Sequence, residues 1–153
     1  MKTHVKILTA LTAPVIAAGL ALAAAIPAQA TGHRIQIREI YYNSPGSDTG
    51  SVSSLDHEWV ELHNTSGSSI RLTGWTLSDA QGHTFTFPTY TLRPYGNVKV
   101  RTGPGTNTQT SLYWGRGWYV WNNTGDTATV RNRAAALIDQ CSYTGTSLGY
   151  VNC

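Results

Sequence analysis

Charged residues are scarce in this chain, and cysteine and methionine are nearly absent. Its 153 residues include eleven Lys and Arg, eight Asp and Glu, two Cys and one Met. Two cysteines without a C-x-x-C spacing exclude a thioredoxin-like redox motif and a four-cysteine zinc site. Charged residues amount to 12% of the chain, which gives no broad electrostatic surface of the kind that binds nucleic acid or anionic membranes.

Long apolar runs are also absent, except at the N-terminus. Lys2 and Lys6 flank the start of a stretch, residues 7–26, that is almost entirely Ala, Leu, Ile and Val, and an A-x-A cleavage site follows at Ala28 and Ala30. This order is typical of a secretory signal peptide. An uncleaved membrane anchor is the alternative, and the small-residue site argues against it.

We therefore predict that residues 1–30 are removed and that residues 31–153 form one secreted, extracellular domain with no stable membrane insertion. Without Lys2 and Lys6, nine basic residues stand against eight acidic ones, so the net charge is +1. A charge this small gives no general electrostatic attraction to polyanions.

The two cysteines, Cys141 and Cys153, both fall in the predicted secreted part. In an oxidising compartment such a pair is more often a disulfide than a metal site or two free thiols. We predict a Cys141–Cys153 disulfide that ties the short C-terminal tail, residues 144–153, to the strand before it.

The secreted part has no stretch with the apolar periodicity of an amphipathic helix. It consists of short β-prone runs separated by Gly, Pro, Asn and Ser, and Val60 and Leu62 alternate with Trp59, Glu61 and His63 as on a strand. Such runs predict an all-β fold, an antiparallel β-sandwich of about seven to nine strands, with a barrel as the alternative. The predicted strands cover residues 35–41, 58–64, 70–77, 83–87, 98–100, 112–114, 118–121, 127–131 and 137–143, and residues 43–56 form a long polar loop.

Three short motifs resemble enzyme signatures but lack the context that each needs. The G-x-S-x-G pattern at 145–149 has no room for a downstream His, and the D-T-G triplet at 48–50 has no second copy with which to share a proton. His57 and Glu58 begin a zinc H-E-x-x-H motif whose second His is missing. The loop aspartates lack the dense spacing of a calcium loop. We expect no catalytic residues, no metal and no cofactor.

The densest aromatic segment, residues 113–121, is the most plausible binding feature. It holds five aromatic residues, one Arg and two Gly, and exposed rings at a sandwich edge stack on sugars or, with an Arg, on nucleobases. Because alternate strand residues point inward, we predict that Trp114 and Trp121 are buried. We place the candidate binding site at Arg116, Trp118 and Tyr119, leaving open which of the last two is exposed.

Six phrases rich in aromatic and turn residues follow one another along the predicted domain, at residues 58–64, 72–79, 82–88, 92–96, 113–114 and 121–130. Their order resembles the lamin-tail domain, an immunoglobulin-like β-sandwich, in its short secreted actinobacterial form. The similarity covers roughly residues 35–143; the hairpin tip at 132–136 departs from the turn that is usual in the family. The resemblance implies an immunoglobulin-like fold, no catalytic residues and a role as an interaction module.

These observations predict a secreted, non-enzymatic binding module whose partner is a protein or a component of the cell envelope. A carbohydrate-binding module is the first alternative, and it would be favoured if Trp118, Tyr119 and Tyr95 formed one exposed apolar strip. An extracellular nucleic-acid binder is the second, resting on Arg116 together with Arg131 and Arg133.

Overall fold

A computed structural model describes residues 33–153, and the predicted signal peptide with its cleavage site at Ala28 and Ala30 lies outside them. The described chain contains eleven strands and one short helix. In chain order these are β1 (Ile35–Tyr41), α1 (Val52–Asp56), β2 (Trp59–Asn64), β3 (Ile70–Arg71), β4 (Thr76–Ser78), β5 (Thr84–Thr86), β6 (Thr91–Leu92), β7 (Asn97–Arg101), β8 (Ser111–Tyr113), β9 (Gly125–Arg131), β10 (Leu137–Thr144) and β11 (Tyr150–Asn152).

The strands form two facing sheets, and the predicted immunoglobulin-like β-sandwich is confirmed. One sheet has five strands in the order β11-β1-β2-β7-β8, the other has four in the order β10-β9-β4-β5, and β3 pairs with β6 separately. Every pairing is antiparallel except β7 with β8, which run parallel. The number exceeds the predicted seven to nine because the predicted strand 70–77 divides into β3 and β4, and because β6 and β11 were not predicted. β6 has two residues and β11 three, too few to show an alternating pattern.

The core lies between the two sheets and follows from the alternation of each strand. Val60 and Leu62 on β2 are fully buried, as are Leu77 on β4 and Val130 on β9. Each such side chain contributes about 1.5–3 kcal/mol relative to an exposed position. The outward residues of β2 carry the polar and aromatic groups that face solvent or one another.

Gly74 produces the bend that separates β3 from β4. Its φ of 77° lies in the left-handed region, where glycine has no steric penalty, and its N–H donates to the Phe87 carbonyl at 2.9 Å. The neighbouring Trp75 is only partly buried, packing against the core from its rim. Trp75 is therefore less central to the core than Trp121, which is 2% exposed.

Three local predictions were wrong. Within the loop 43–56, residues 52–56 form α1, whose N-cap Ser51 accepts a hydrogen bond from the Ser54 N–H at 3.3 Å; five residues are too few to show helical periodicity. Residues 118–121 are not a strand, because their inner N–H groups donate to a side chain instead of a neighbouring strand. The tail 144–153, for which no strand was predicted, contains β11, because Tyr150 pairs with Tyr41 at the edge of the five-stranded sheet.

The Cys141–Cys153 disulfide is present, as predicted, with its Cα atoms 6.0 Å apart. Cys141 lies on β10 of the four-stranded sheet and Cys153 directly follows β11 of the five-stranded sheet. The bond therefore links the two sheets across one open side of the sandwich, which the sequence did not reveal. Within residues 33–153 no helix is long and apolar enough to cross a membrane.

Candidate binding surface

Residues 114–121, here called the aromatic loop, leave β8 and cross one end of the sandwich. The loop begins as an extension of the sheet, because the Trp114 N–H donates to the Arg101 carbonyl at 2.8 Å and the Arg116 N–H to the Thr102 carbonyl at 2.9 Å. Beyond Arg116 it turns away from β7. Where the loop no longer pairs with a strand, its buried N–H groups need other hydrogen-bond acceptors.

Glu58 supplies those partners. Its carboxylate is fully buried and accepts hydrogen bonds from the Val120 N–H at 3.0 Å and the Trp121 N–H at 2.8 Å, one on each oxygen. Glu58 immediately precedes β2, so this side chain ties the end of the aromatic loop to the sheet. From the sequence, Glu58 was predicted as the first residue of a strand and as part of an incomplete zinc motif, and its role as a buried acceptor was missed.

Burial also changes the acidity of this side chain. Loss of solvent raises the pKa of Glu58 to about 7, in opposition to the two N–H donors, which lower it. In the unfolded chain the same carboxyl titrates near 4.5. As the pH rises, the unfolded state therefore releases this proton before the folded state does.

We expect the free energy of unfolding to fall as the pH rises from about 4.5 through 7, by an amount on the order of 3 kcal/mol. Below 4.5 the contribution of Glu58 is fully present, and above 7 it is lost. Urea unfolding at a series of pH values measures this slope. In Glu58→Gln the slope over this window should flatten; an equal slope in both proteins would show that other groups cause it.

Tyr119 anchors the middle of the aromatic loop to α1. Its hydroxyl lies 2.5 Å from Ser54 Oγ and accepts a hydrogen bond from the Gly50 N–H at 3.3 Å. Asn123, just after the loop, donates to Asp48 Oδ2 at 3.0 Å. The aromatic loop and the polar segment 43–56 therefore support one another.

Trp118 is the exposed member of this surface. Its benzene ring lies so close to Gly50 that a Cβ at that position would be 2.6 Å from Cζ3, and it packs edge-to-face with Tyr119 at 5.5 Å between centroids. Even so, 62% of Trp118 is exposed. A large apolar ring that is fixed in place and left in water is characteristic of a binding anchor.

An open cleft of about 320 Å³ lies next to Gly50 in the same polar segment. Pro45 and His57 contribute to its lining, and the remaining lining residues all carry hydroxyl groups: Ser47, Thr49, Ser51, Ser53 and Ser54. This cleft lies in residues 43–56, for which the sequence predicted only a long polar loop. Its serine content was the available signal, but it did not by itself indicate a concave surface.

The candidate residues at 114–121 thus divide into core and surface. Trp121 is buried as predicted and meets Trp114 edge-to-face at 6.2 Å. Trp114 is only partly buried, packing against the core from outside, so that prediction was too strong. Arg116 and Tyr119 are partly exposed, and of the pair left open, Trp118 is the exposed one.

The structure does not form the aromatic strip that would favour an extended carbohydrate platform. Tyr95 is 68% exposed, but it packs on Gly67 and its N–H donates to the Ser66 carbonyl at 3.1 Å, beyond the C-terminal end of β2. Trp118 and Gly50 lie near the N-terminal end of that strand. Tyr95 and Trp118 are therefore at opposite ends of the sandwich.

The arginines proposed for nucleic acid are likewise separated. Arg131 is the last residue of β9 and Arg133 lies against Gly74, whereas the aromatic loop precedes the first residue of β9. Seven strand residues span about 20 Å, so Arg116 shares no patch with the other two.

A second aromatic group, absent from the sequence predictions, lies on the outer face of the five-stranded sheet. Tyr41 stacks on Tyr150 at 5.8 Å and on Trp59 at 5.6 Å, and the Lys99 ammonium lies 3.4 Å from the Trp59 ring centroid. Because β2 lies between β1 and β7, Tyr41 and Lys99 cover opposite faces of Trp59. These side chains therefore pack on one another across neighbouring strands and stabilise the sheet.

Two buried aspartates near the start of β9 hold turns together. Asp126 accepts from the N–H groups of Ala80 and Thr127 at 3.0 and 2.7 Å, and Asp79 accepts from the His83 N–H at 2.7 Å. Their oxygens are therefore occupied by the N–H groups of turns. Among residues 33–153 no group of three or more His, Cys, Asp or Glu side chains is arranged to hold a metal ion.

Comparison with known proteins agrees with this architecture. The family model described as Lamin Tail Domain matches residues 28–145, which include Glu58, the aromatic loop and ten of the eleven strands, all but β11. No curated protein matches the chain. On the extent of the family match, together with the two-sheet sandwich, this chain belongs to the lamin-tail domain family.

Proposed function

We propose that this lamin-tail domain is a secreted, non-enzymatic module that binds a macromolecule of the cell envelope through the aromatic loop and the polar segment beside it. The observation that carries the proposal is Trp118, which is 62% exposed and yet held by Gly50 and Tyr119. A fixed ring binds with a smaller entropic cost than one on a mobile loop. Among residues 33–153, three of the five large exposed apolar residues lie at this end: Val52 on α1, and Trp118 and Leu148 on loops.

Secretion is supported by the basic leader, the apolar run and the A-x-A site at Ala28 and Ala30. A disulfide between Cys141 and Cys153 is compatible with an oxidising compartment. We expect the intact mass of the exported protein to correspond to a chain that begins at Thr31 and lacks the two thiol hydrogens. A mass that retains residues 1–30 would contradict cleavage.

Binding is tested by retention of the purified domain on washed cell-envelope fragments from an actinobacterium. Trp118→Ala should reduce the apparent affinity at least about tenfold, because truncating a central Trp in an interface costs about 2 kcal/mol or more. Tyr95→Ala is the matched control, since it removes a ring of similar exposure at the opposite end. Equal losses in the two variants, or none in either, would contradict the proposed surface.

A protein partner in the envelope is the alternative occupant, favoured by the exposed apolar Val52, two residues after the Gly50 that Trp118 contacts. Retention that disappears after protease treatment of the fragments would identify the partner as protein. Retention that persists would assign it to the glycan part of the envelope.

A further inference from the structure

We propose that the ligand of the surface formed by Trp118 and the adjoining hydroxyl-lined cleft is a neutral glycan. This inference rests on the proposed function and specifies the chemical class of its partner. It concerns a single anchoring ring with a polar cleft beside it. It does not require the extended aromatic strip that the structure rules out.

Trp118 supplies the apolar half of such a site. A sugar ring presents C–H groups on its faces, and these pack favourably on the electron-rich face of an indole. Trp59 on the five-stranded sheet cannot do this, because Tyr41 and Lys99 already cover its two faces. Tyr119 is also engaged, through its hydroxyl, with Ser54 and Gly50.

The cleft supplies the polar half. Each hydroxyl group both donates and accepts hydrogen bonds, which matches the hydroxyls of a sugar. Among the residues that the structure describes, Ser51 caps α1 and Ser54 bonds Tyr119, whereas the side chains of Ser47 and Ser53 have no protein hydrogen-bond partner. These two hydroxyls are available to a ligand, and Ser53 uses only its carbonyl, toward His57.

The charge of the cleft favours an uncharged ligand. In the described part of the chain its lining contains no Lys, Arg, Asp or Glu, and His57 is its one titratable residue. A phosphate polymer or nucleic acid is recognised by several Lys and Arg side chains, and this lining has none. The cleft volume of about 320 Å³ lies at the lower end of the range for small-molecule sites. A cleft of this size accommodates a short segment of a glycan chain.

The test is isothermal titration of the secreted domain with three soluble neutral oligosaccharides, the tetramers of chitin, cellulose and starch, at low and high salt. At least one should bind saturably, with an affinity that salt does not weaken. Trp118→Ala should lower that affinity at least about tenfold. Replacing Ser47 and Ser53 together with Ala should lower it about three- to tenfold, because each lost hydrogen bond is worth roughly 0.5–1.5 kcal/mol.

Matched controls lie at the opposite end of the sandwich. Tyr95→Ala and Ser69→Ala should leave the affinity unchanged, and thermal unfolding of each variant confirms that it folds. The double serine variant keeps the test decisive if Trp118→Ala is unstable, since both hydroxyls are free of structural bonds.

No saturable binding to any of the three tetramers overturns the glycan inference, as does binding that Trp118→Ala and the double serine variant leave intact. If the tetramers fail while envelope retention still depends on Trp118 and is sensitive to protease, the proposed function stands with a protein partner. If retention is also independent of Trp118, both proposals fail.

Discussion

Replacing Trp121 with Ala is expected to lower the free energy of unfolding by about 3–5 kcal/mol. The ring is 2% exposed, lies in the core cluster and meets Trp114 edge-to-face, so the substitution leaves a large cavity that neighbouring strands cannot close. Urea unfolding followed by far-ultraviolet circular dichroism measures the loss. A decrease below about 1 kcal/mol, the usual size of a surface substitution, would contradict the placement of this ring.

The matched control is Trp118→Ala, three residues earlier in the same loop. Its ring is largely in solvent, so its removal should change stability by less than about 1 kcal/mol. Trp121→Phe provides a second comparison. It retains an aromatic ring and removes an indole N–H that has no hydrogen-bond partner among the described residues, so its cost should be well below that of Trp121→Ala.

Glu58→Ala is expected to cost about 3–5 kcal/mol at pH 5. The substitution leaves the Val120 and Trp121 N–H groups buried without an acceptor, and each such group costs about 1–3 kcal/mol. It also empties the space that a fully buried side chain occupied. The measurement is again equilibrium unfolding, with Glu39→Ala on β1 as a control that removes a partly exposed carboxylate.

Amide hydrogen exchange separates this effect from a general loss of stability. In the wild type the Val120 and Trp121 amides should exchange slowly, and in Glu58→Ala they should exchange faster than the amides of β9. Loss of protection that is equal across β9 and the aromatic loop would mean that Glu58 does not specifically hold the loop.

The sandwich itself was predictable because its signals are local. Val60 and Leu62 alternate with outward residues, and Gly74 marks the bend. In the turn at Asp79 the aspartate side chain accepts a hydrogen bond from a backbone N–H four residues later. The disulfide was also predictable, from the compartment and the count of cysteines. The family was predictable because six phrases, the last of them residues 121–130, follow one another in the order found in that family along most of the chain.

The details of the surface depend on contacts between residues far apart in sequence. Glu58 lies 62 and 63 residues from its two donors, and no periodicity relates such positions. Residues 118–121 have the composition of a strand, but a buried carboxylate takes the N–H groups that a strand partner would need. Likewise, the tail became β11 only because Tyr150 pairs with Tyr41, while the Gly and Ser before it indicated a loose end.

Trp118 is the centre of the proposed binding surface. The most direct measurement is a two-dimensional NMR titration of the isotope-labelled domain with soluble fragments released from the cell envelope. We predict that the Trp118 indole N–H and the amides of Gly50 and Ser53 shift together and saturate, while those of Gly67 and Tyr95 stay fixed. Shifts confined to the Tyr95 end, or to the outer sheet face at Tyr41, would contradict the account.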